Sequence, residues 1–146
     1  MIALIQRVSE AQVRIDGAVV GAIGAGLLAL IGVRREDSAA HAERLLERLL
    51  GYRVFADAQG RMNRSLRECG GGLLLVPQFT LAADTRAGNR AGFSTAAPAD
   101  TAAQLFALLL ERARAVYAPV SAGVFAANMQ VALVNDGPVT FWLETP

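Results

Sequence analysis

A chain of 146 residues that is 53% hydrophobic and 18% charged has the apolar material for one folded domain, and its net charge of +1 does not advertise nucleic-acid binding through bulk electrostatics. No apolar run reaches the ~18 residues of a bilayer-spanning helix, and the first eight residues lack the charged region and cleavage site of a signal peptide. The single Cys69 excludes an internal disulfide, so the expectation is one cytosolic domain over residues 1–146 with no membrane partner.

The first third reads as strands. Met1–Val8 and Ala11–Ile15 lead to Asp16-Gly17, a two-residue hairpin signal, and then to Ala18–Ile23. Gly24-Ala25-Gly26 reads as a second turn before Leu27–Val33, a continuous apolar run of the kind found in buried strands. Over Ser38–Tyr52 the period changes. Ala42, Leu45, Leu46, Leu49 and Leu50 share one helical face, Asp37 or Ser38 can cap the start, and Gly51 lies near the end. Val54-Phe55 is a short strand closed by Asp57–Gly60, and Arg61–Gly72 reads as irregular. Leu73–Leu81 is taken as a strand, and Ala82–Ala97 as a long polar loop. Thr101-Ala102-Ala103-Gln104 has capping-box spacing and opens a second helix that buries Leu105, Leu109, Ala113 and Val116. Two strands, about Met129–Val134 and Val139–Leu143, flank Asn135-Asp136-Gly137-Pro138. Strands lead, helices are few and the two do not alternate regularly. The expected class is therefore α+β, a largely antiparallel, barrel-like sheet with two main helices in a single domain.

Conventional catalytic parts are scarce. His41 is the only histidine and lies at the flank of the helix's polar face, where a solvated role is the common one. Cys69 has no second histidine to activate it, and no His, Cys or carboxylate cluster has the spacing of metal ligands, so neither a metal nor a cofactor is expected. All fourteen basic residues are arginine. Arg61, Arg64 and Arg67 cluster in one segment and Arg86 and Arg90 in another; guanidinium forks suit phosphate, although solvated loop charges produce such clusters more often. The chain is then a binding protein, a structural subunit, or an enzyme that works with backbone groups and the substrate's own atoms.

Two segments hold polar groups and a proline where a plain core strand has neither: Val76-Pro77-Gln78-Phe79-Thr80-Leu81 and Met129 through Trp142. Gln78-Phe79-Thr80-Leu81 and Asn135-Asp136-Gly137-Pro138-Val139-Thr140 resemble the two signature motifs of the D-aminoacyl-tRNA deacylases. The resemblance extends from Met1–Val8 through Gly51–Phe55 and Phe125–Val131 to Leu143. It implies hydrolysis of the ester between a D-amino acid and the 3′-terminal adenosine of tRNA, in a homodimer whose active sites are shared across the subunits. It further implies that Gly137 and Pro138, joined by a cis peptide, form a chirality filter reaching into the other subunit. Gln78, Phe79 and Thr80 would line the site, the Phe79 amide facing the ester carbonyl, and Thr80 would attack or position. The 2′-hydroxyl of the terminal adenosine is the other candidate for the chemical work. Asn135, Thr140 and Met129 take supporting places. Pro77 stands where serine is usual in the family, and Ala91-Gly92 where Pro-Ser is common.

Without the resemblance, Asn135–Pro138 reads as an ordinary hairpin turn, and Gln78 and Thr80 as two residues on one strand face. The alternative from another class is a non-catalytic protein that captures D-amino acids or aminoacylated RNA ends.

Overall fold

The computed structural model describes residues 1–146. One strand organises the fold. β1 (Ile2–Ile15) runs unbroken through the two segments that the sequence separated, and it is paired along both edges. On one edge lie β2 (Ala18–Ile23) and β3 (Gly26–Gly32). Their registers with β1 continue each other, Ala11 facing Ile23 and Val8 facing Gly26. Gly24-Ala25 is therefore a bend in one long strand and not the chain reversal expected there. The reversal is at Asp16-Gly17, both with positive φ, joining Ile15 to its partner Ala18.

Beyond β3 the sheet becomes parallel. β6 (Gly72–Pro77) pairs with β3 and with β7 (Val120–Ala122), both in parallel, so the sheet is mixed where the sequence pointed to a largely antiparallel one. The Ser121 hydroxyl donates to the Ala22 carbonyl at 3.0 Å, drawing β7 toward β2 and nearly closing the barrel. β8 (Gln130–Glu144) pairs only with β1. A separate two-stranded hairpin, β4 (Phe55–Ala56) and β5 (Met62–Arg64), stands apart from the barrel.

Three helices complete the single domain. α1 (Ala39–Gly51) buries the five residues its periodicity nominates. Its first turn is closed by His41, whose Nδ1 accepts from the Ser38 amide at 3.0 Å, while Asp37 turns away to hold the buried Met1 ammonium at 2.6 Å. α2 (Leu66–Cys69) is a single turn inside the stretch read as irregular. It forms because Ser65 and Glu68 cap each other's amides, a capping box. α3 (Ala99–Val116) starts two residues before Thr101, with Pro98 at its N-cap, so the Thr101–Gln104 capping box is not used. It buries Ala102, Leu105, Phe106, Leu109 and Ala113, whereas Val116 in its last turn is exposed.

The β6 side chains show how the layers meet. Leu73 and Leu75 join the leucines of α1 and α3 on the outer face of the sheet; Leu74 and Val76 join Val8, Val13 and Ile23 in the barrel interior. A strand buried on both faces loses alternation and reads as a continuous apolar run, which Leu73–Val76 is. Removing one of these side chains to alanine typically costs about 2–5 kcal/mol, so the end of β6 is a stiff mount for the segment after it.

Candidate active site

After β6 the chain enters a turn and does not continue as strand. Pro77 is the last residue of β6, still in register with Ile31 but beyond the reach of β7, a place where a missing N–H breaks no ladder. The Gln78 amide donates to the Ile31 carbonyl at 2.7 Å, and the chain then winds into a 3-10 turn, Phe79–Ala82. Gln78 and Thr80 therefore do not share a strand face, as the period-two reading had it. They meet across the turn, the Gln78 amide group donating to the Thr80 hydroxyl. As at the start of any helix, the leading amides, here Phe79 and Thr80, have no acceptor inside the turn and point outward.

A cleft of about 520 Å³ opens beside this turn, lined by Val76, Pro77, Gln78, Phe79, Phe125 and Met129 among others, most of them apolar. The Met129 sulfur accepts from the Val124 amide at 3.4 Å, which fixes that side chain at the cleft wall. Phe79 is 59% exposed and rests against Phe93 with ring centroids 5.3 Å apart. The loop carrying Phe93 is pinned in turn by a backbone bridge between Asp84 and Gly92 and by the Thr95 hydroxyl on the Ala82 carbonyl at 2.6 Å. On the other side of the turn, Thr80 borders a second, more polar cleft with Arg34, Arg86, Trp142 and Glu144. Its charges are matched. Arg34 lies 2.8 Å from Glu144, and Arg86 grips Asp84; each arginine holds its carboxyl below the usual carboxylate range through hydrogen bonding, the Trp142 indole adding to the effect on Glu144.

The second motif is neither a hairpin turn nor a break between two strands. Both halves of β8 pair with β1, and the two steps from Gln6 to Val8 are matched by five steps from Asn135 to Thr140. The surplus is expelled as an exposed bulge with Gly137 and Pro138 at its crest. The peptide between them is cis. Gly137 has φ +143°, and a Cβ there would lie 2.7 Å from Val139 Cγ2, so the position admits glycine alone without rearrangement.

Polar braces hold this shape. Asn135 Oδ1 accepts from the Val139 amide and Asn135 Nδ2 donates to the Thr140 hydroxyl, each at 2.8 Å, which ties the two feet of the bulge together. From below, Arg7 Nε donates to the Asp136 carbonyl at 2.8 Å while its Nη1 donates to the Val54 carbonyl at 2.7 Å. Sequence reading missed Arg7. The available signal was an arginine inside an apolar strand, and its partner lies 129 residues away.

The structure thus gathers the predicted residues into two groups. Gln78, Phe79, Thr80 and Met129 surround the turn and its cleft, and Asn135, Gly137, Pro138 and Thr140 form the bulge. Neither Gly137 nor Pro138 lines either of the clefts that flank the turn.

Comparison with known proteins gives this arrangement a family. Residues 4–144 match the family described as D-Tyr-tRNA(Tyr) deacylase. The D-aminoacyl-tRNA deacylase of Thioalkalivibrio sulfidiphilus is 65% identical over all of this chain and 98% of its own, and that of Alkalilimnicola ehrlichii 67% identical over 99% and 96%. Among solved structures, one described as the c-Myc DNA Unwinding Element Binding Protein is 38% identical, with a TM-score of 0.95 covering 100% of this chain and 99% of that one. A probable eukaryotic D-amino acid tRNA deacylase shares the fold at 18% identity, with a TM-score of 0.78 over 99% and 98%. Full-length matches at this identity place the chain in the D-aminoacyl-tRNA deacylase family, and it is accordingly an enzyme that acts on aminoacyl-tRNA.

Proposed function

We propose that the enzyme edits aminoacyl-tRNA in the cytoplasm as a homodimer, cleaving D-aminoacyl esters and sparing L-aminoacyl esters through the Gly137-Pro138 bulge of the partner subunit. The observation that carries this reading is the separation of the two motifs. The turn has a cleft that neither Gly137 nor Pro138 lines, whereas the bulge is an exposed, shaped wall set apart from that cleft. Two copies joined by a two-fold axis supply each turn with the other's bulge.

The chemistry needs little from side chains. An aminoacyl ester is activated by its α-ammonium group and has a hydroxyl next to it, so alignment and a polarised carbonyl suffice. The apolar cleft by Phe125 and Met129 suits the flat face of the terminal adenine, and its volume is in the usual range for small-molecule sites. With the base seated there, the outward amide of Phe79 faces the ester carbonyl, and one such donor is typically worth ~10²–10³ in rate. The adenosine 2′-hydroxyl, held beside the reacting carbonyl by the same placement, orients the water that attacks it and passes that water's proton to the departing 3′-oxygen, so the ester breaks to free amino acid and the tRNA 3′-hydroxyl without a protein nucleophile. Thr80, held by Gln78, orients the ester.

Selectivity follows from exclusion. L-aminoacyl-tRNA far outnumbers the D form, so discrimination of ~10⁴ or more is needed, about 5.5 kcal/mol. A pocket that weighs one methylene against none gives only ~1–3 kcal/mol. A braced backbone wall on the L side rejects by clash, and it has nothing to reject in glycine, so glycine mischarged on tRNA for alanine is also a substrate.

The test is hydrolysis of D-Tyr-tRNA against L-Tyr-tRNA, and of Gly-tRNA against L-Ala-tRNA, by the purified protein. The expected order is D-Tyr fastest, Gly measurable and both L esters spared. Protection of the D ester without release of free amino acid would make the protein a binder, and equal rates for both tyrosyl esters would remove the filter.

A further inference from the structure

The β4–β5 hairpin is more elaborate than the core requires. All three residues of β5 are exposed, yet its turn is tightly built. The Asp57 carboxylate accepts from the Gln59 amide, the Arg61 amide and the Asn63 side chain, each at 2.9 Å, which commits that acid to the turn. Around the hairpin stand Arg53, Arg61 and Arg64, all exposed. No carboxylate is within ion-pair distance of any of the three, in contrast to Arg34, Arg67, Arg86 and Arg112, which each have one. The Arg64 guanidinium donates only to a neutral acceptor, the Glu68 carbonyl. The Glu68 carboxylate is the acid that faces Arg53 and Arg64, and it is occupied by the Ser65 amide and hydroxyl, which together with those two arginines keep it ionised below the usual range. Residues 53–69 hold four arginines and two acids, a balance of +2 in a chain whose total is +1.

The hairpin's place gives this charge a meaning. One guanidinium, that of Arg7, bonds the carbonyls of Val54 and Asp136 together, so the root of the hairpin stands against the Gly137-Pro138 bulge. Whatever the bulge reaches, the hairpin accompanies. A site that receives this bulge from its partner receives the arginines as well, beside a substrate whose body is a phosphodiester backbone. Planar guanidiniums with unused donors are the side chains best shaped to grip phosphate oxygens in pairs.

We infer that Arg53, Arg61 and Arg64 form a phosphate-binding face that holds the acceptor-end backbone of the tRNA whose ester lies in the partner subunit's site. The inference rests on the cross-subunit reading above and extends it from the reacting ester to the tRNA body.

The experiment compares wild type with the variant R53Q/R61Q/R64Q on two substrates, D-Tyr-tRNA and D-tyrosyl-adenosine, which has the ester without the RNA. Expected for the variant is a KM on tRNA raised at least about tenfold with kcat within about twofold, and unchanged rates on D-tyrosyl-adenosine. The slope of log KM against log salt should become shallower by about two to three, the amount for three lost phosphate contacts. Arg67→Gln, at a residue already paired with Glu47, should behave as wild type. Unchanged KM and salt slope in a wild type that remains D-selective would overturn the phosphate face and leave the editing reading standing. Equal losses on both substrates would also overturn it, since the arginines would then act through the site's own structure. A wild type that cleaves neither ester would bring down both readings. Mixed dimers settle the side. The triple variant combined with a Q78A/T80A chain should show wild-type KM at its one competent site, and a KM that stays high would assign the face to its own subunit's substrate.

Discussion

The turn after β6 and the bulge in β8 are both departures from regular structure, and they are held in opposite ways. The Gln78–Ala82 turn inherits its position from packing. The strand before it is buried on both faces, with Leu73, Leu74 and Leu75 at 0% exposure, and hydrogen bonds from the Gln78 amide to Ile31, from the Gln78 side chain to Thr80 and from Thr95 to Ala82 finish its shape. The Asn135–Thr140 bulge touches the core only through Val139, which is half-buried at its foot. Its crest is exposed, and its shape depends on Asn135 bridging its feet and Arg7 holding it from below. Packing fixes where a group stands to within the tolerance of a core, and hydrogen bonds fix which way a backbone faces. A reaction that needs an amide aimed at a carbonyl beside a firm cleft suits the first kind of support. A wall that must keep one outline against every L side chain suits the second.

This division can be broken most decisively by complementation. A chain altered at Gln78 and Thr80, which loses both side chains that orient the ester, and a chain altered at Gly137 and Pro138 should each fall to a few per cent of wild-type D-selective hydrolysis or below. After mixing and refolding, half the dimers are hybrids with one intact site of two, so about a quarter of wild-type activity should return. Stable hybrids with no regained activity would place the bulge in its own subunit's site or outside any site. Next in size is the contrast between RNA and protein as the source of chemistry. Replacing the terminal 2′-hydroxyl by hydrogen should depress hydrolysis by about 10³-fold or more, whereas Thr80→Ala, which removes a positioning contact, should cost on the order of tenfold. A deoxy substrate that reacts normally while Thr80→Ala is dead would make threonine the nucleophile.

Arg7→Ala sharpens the comparison from the other side. It removes two charged hydrogen bonds, to Asp136 and Val54, from a side chain that is 17% exposed, and should lower stability by about 1–3 kcal/mol. The informative readout is selectivity. With the brace gone the wall loosens, so L-Tyr-tRNA hydrolysis should rise by about tenfold or more while the D rate changes little. A parallel loss on both esters would mean that Arg7 serves the fold alone. Smaller still is an acid dependence at the end of β8. Glu144 is held below its ordinary value, first by Arg34 and then by Trp142, so its folded-state pKa lies under that of the unfolded chain. The stabilisation is present above about pH 4.5 and is lost as pH falls through the folded value. Both partners are substantially exposed, so Arg34→Gln should flatten the acid limb of a denaturation series only slightly.

How much of the fold and site is legible in the sequence follows the same division. Where packing decides, periodicity reports it: α1's five buried residues, the β3 run and the Asp16-Gly17 hairpin are all visible in the sequence. Where hydrogen bonds between distant residues decide, the sequence misleads. Gln78-Phe79-Thr80 reads as strand because apolar and polar residues alternate, but the Gln78 amide is taken by Ile31 and the ladder ends. Asn135–Pro138 reads as a turn because turn chemistry is local, whereas the choice between reversing and bulging is made by β1, which accepts both halves of β8. Gly24-Ala25 misleads for the same reason, since continued pairing with β1 turns a reversal into a bend. The motifs mark the candidate site, and the long-range pairing gives it its shape.

The residues outside both regions should matter least, and His41 is the sharpest case because it is the one histidine of the chain. A histidine in a hydrolase invites assignment as general base, and the turn at Gln78–Thr80 has no such base near it. In the structure the His41 ring is already engaged. Its Nδ1 accepts the Ser38 amide and lies 2.9 Å from the Ser38 hydroxyl, closing the first turn of α1. That role makes a definite prediction, because losing a helix cap costs about 0.5–2 kcal/mol and touches nothing in the reaction. His41→Ala should therefore lower the melting temperature by a few degrees and leave kcat, KM and D-over-L selectivity at wild-type values. His41→Asn, which keeps an acceptor one turn from Ser38, should recover part of the stability. Cys69→Ala, at an exposed thiol whose one hydrogen bond is to the Leu66 carbonyl at 3.6 Å, should be silent in both respects. If His41→Ala instead abolished turnover in a folded dimer, the site would have to contain a protein base, and a mechanism built on backbone amides and the adenosine hydroxyl would fail.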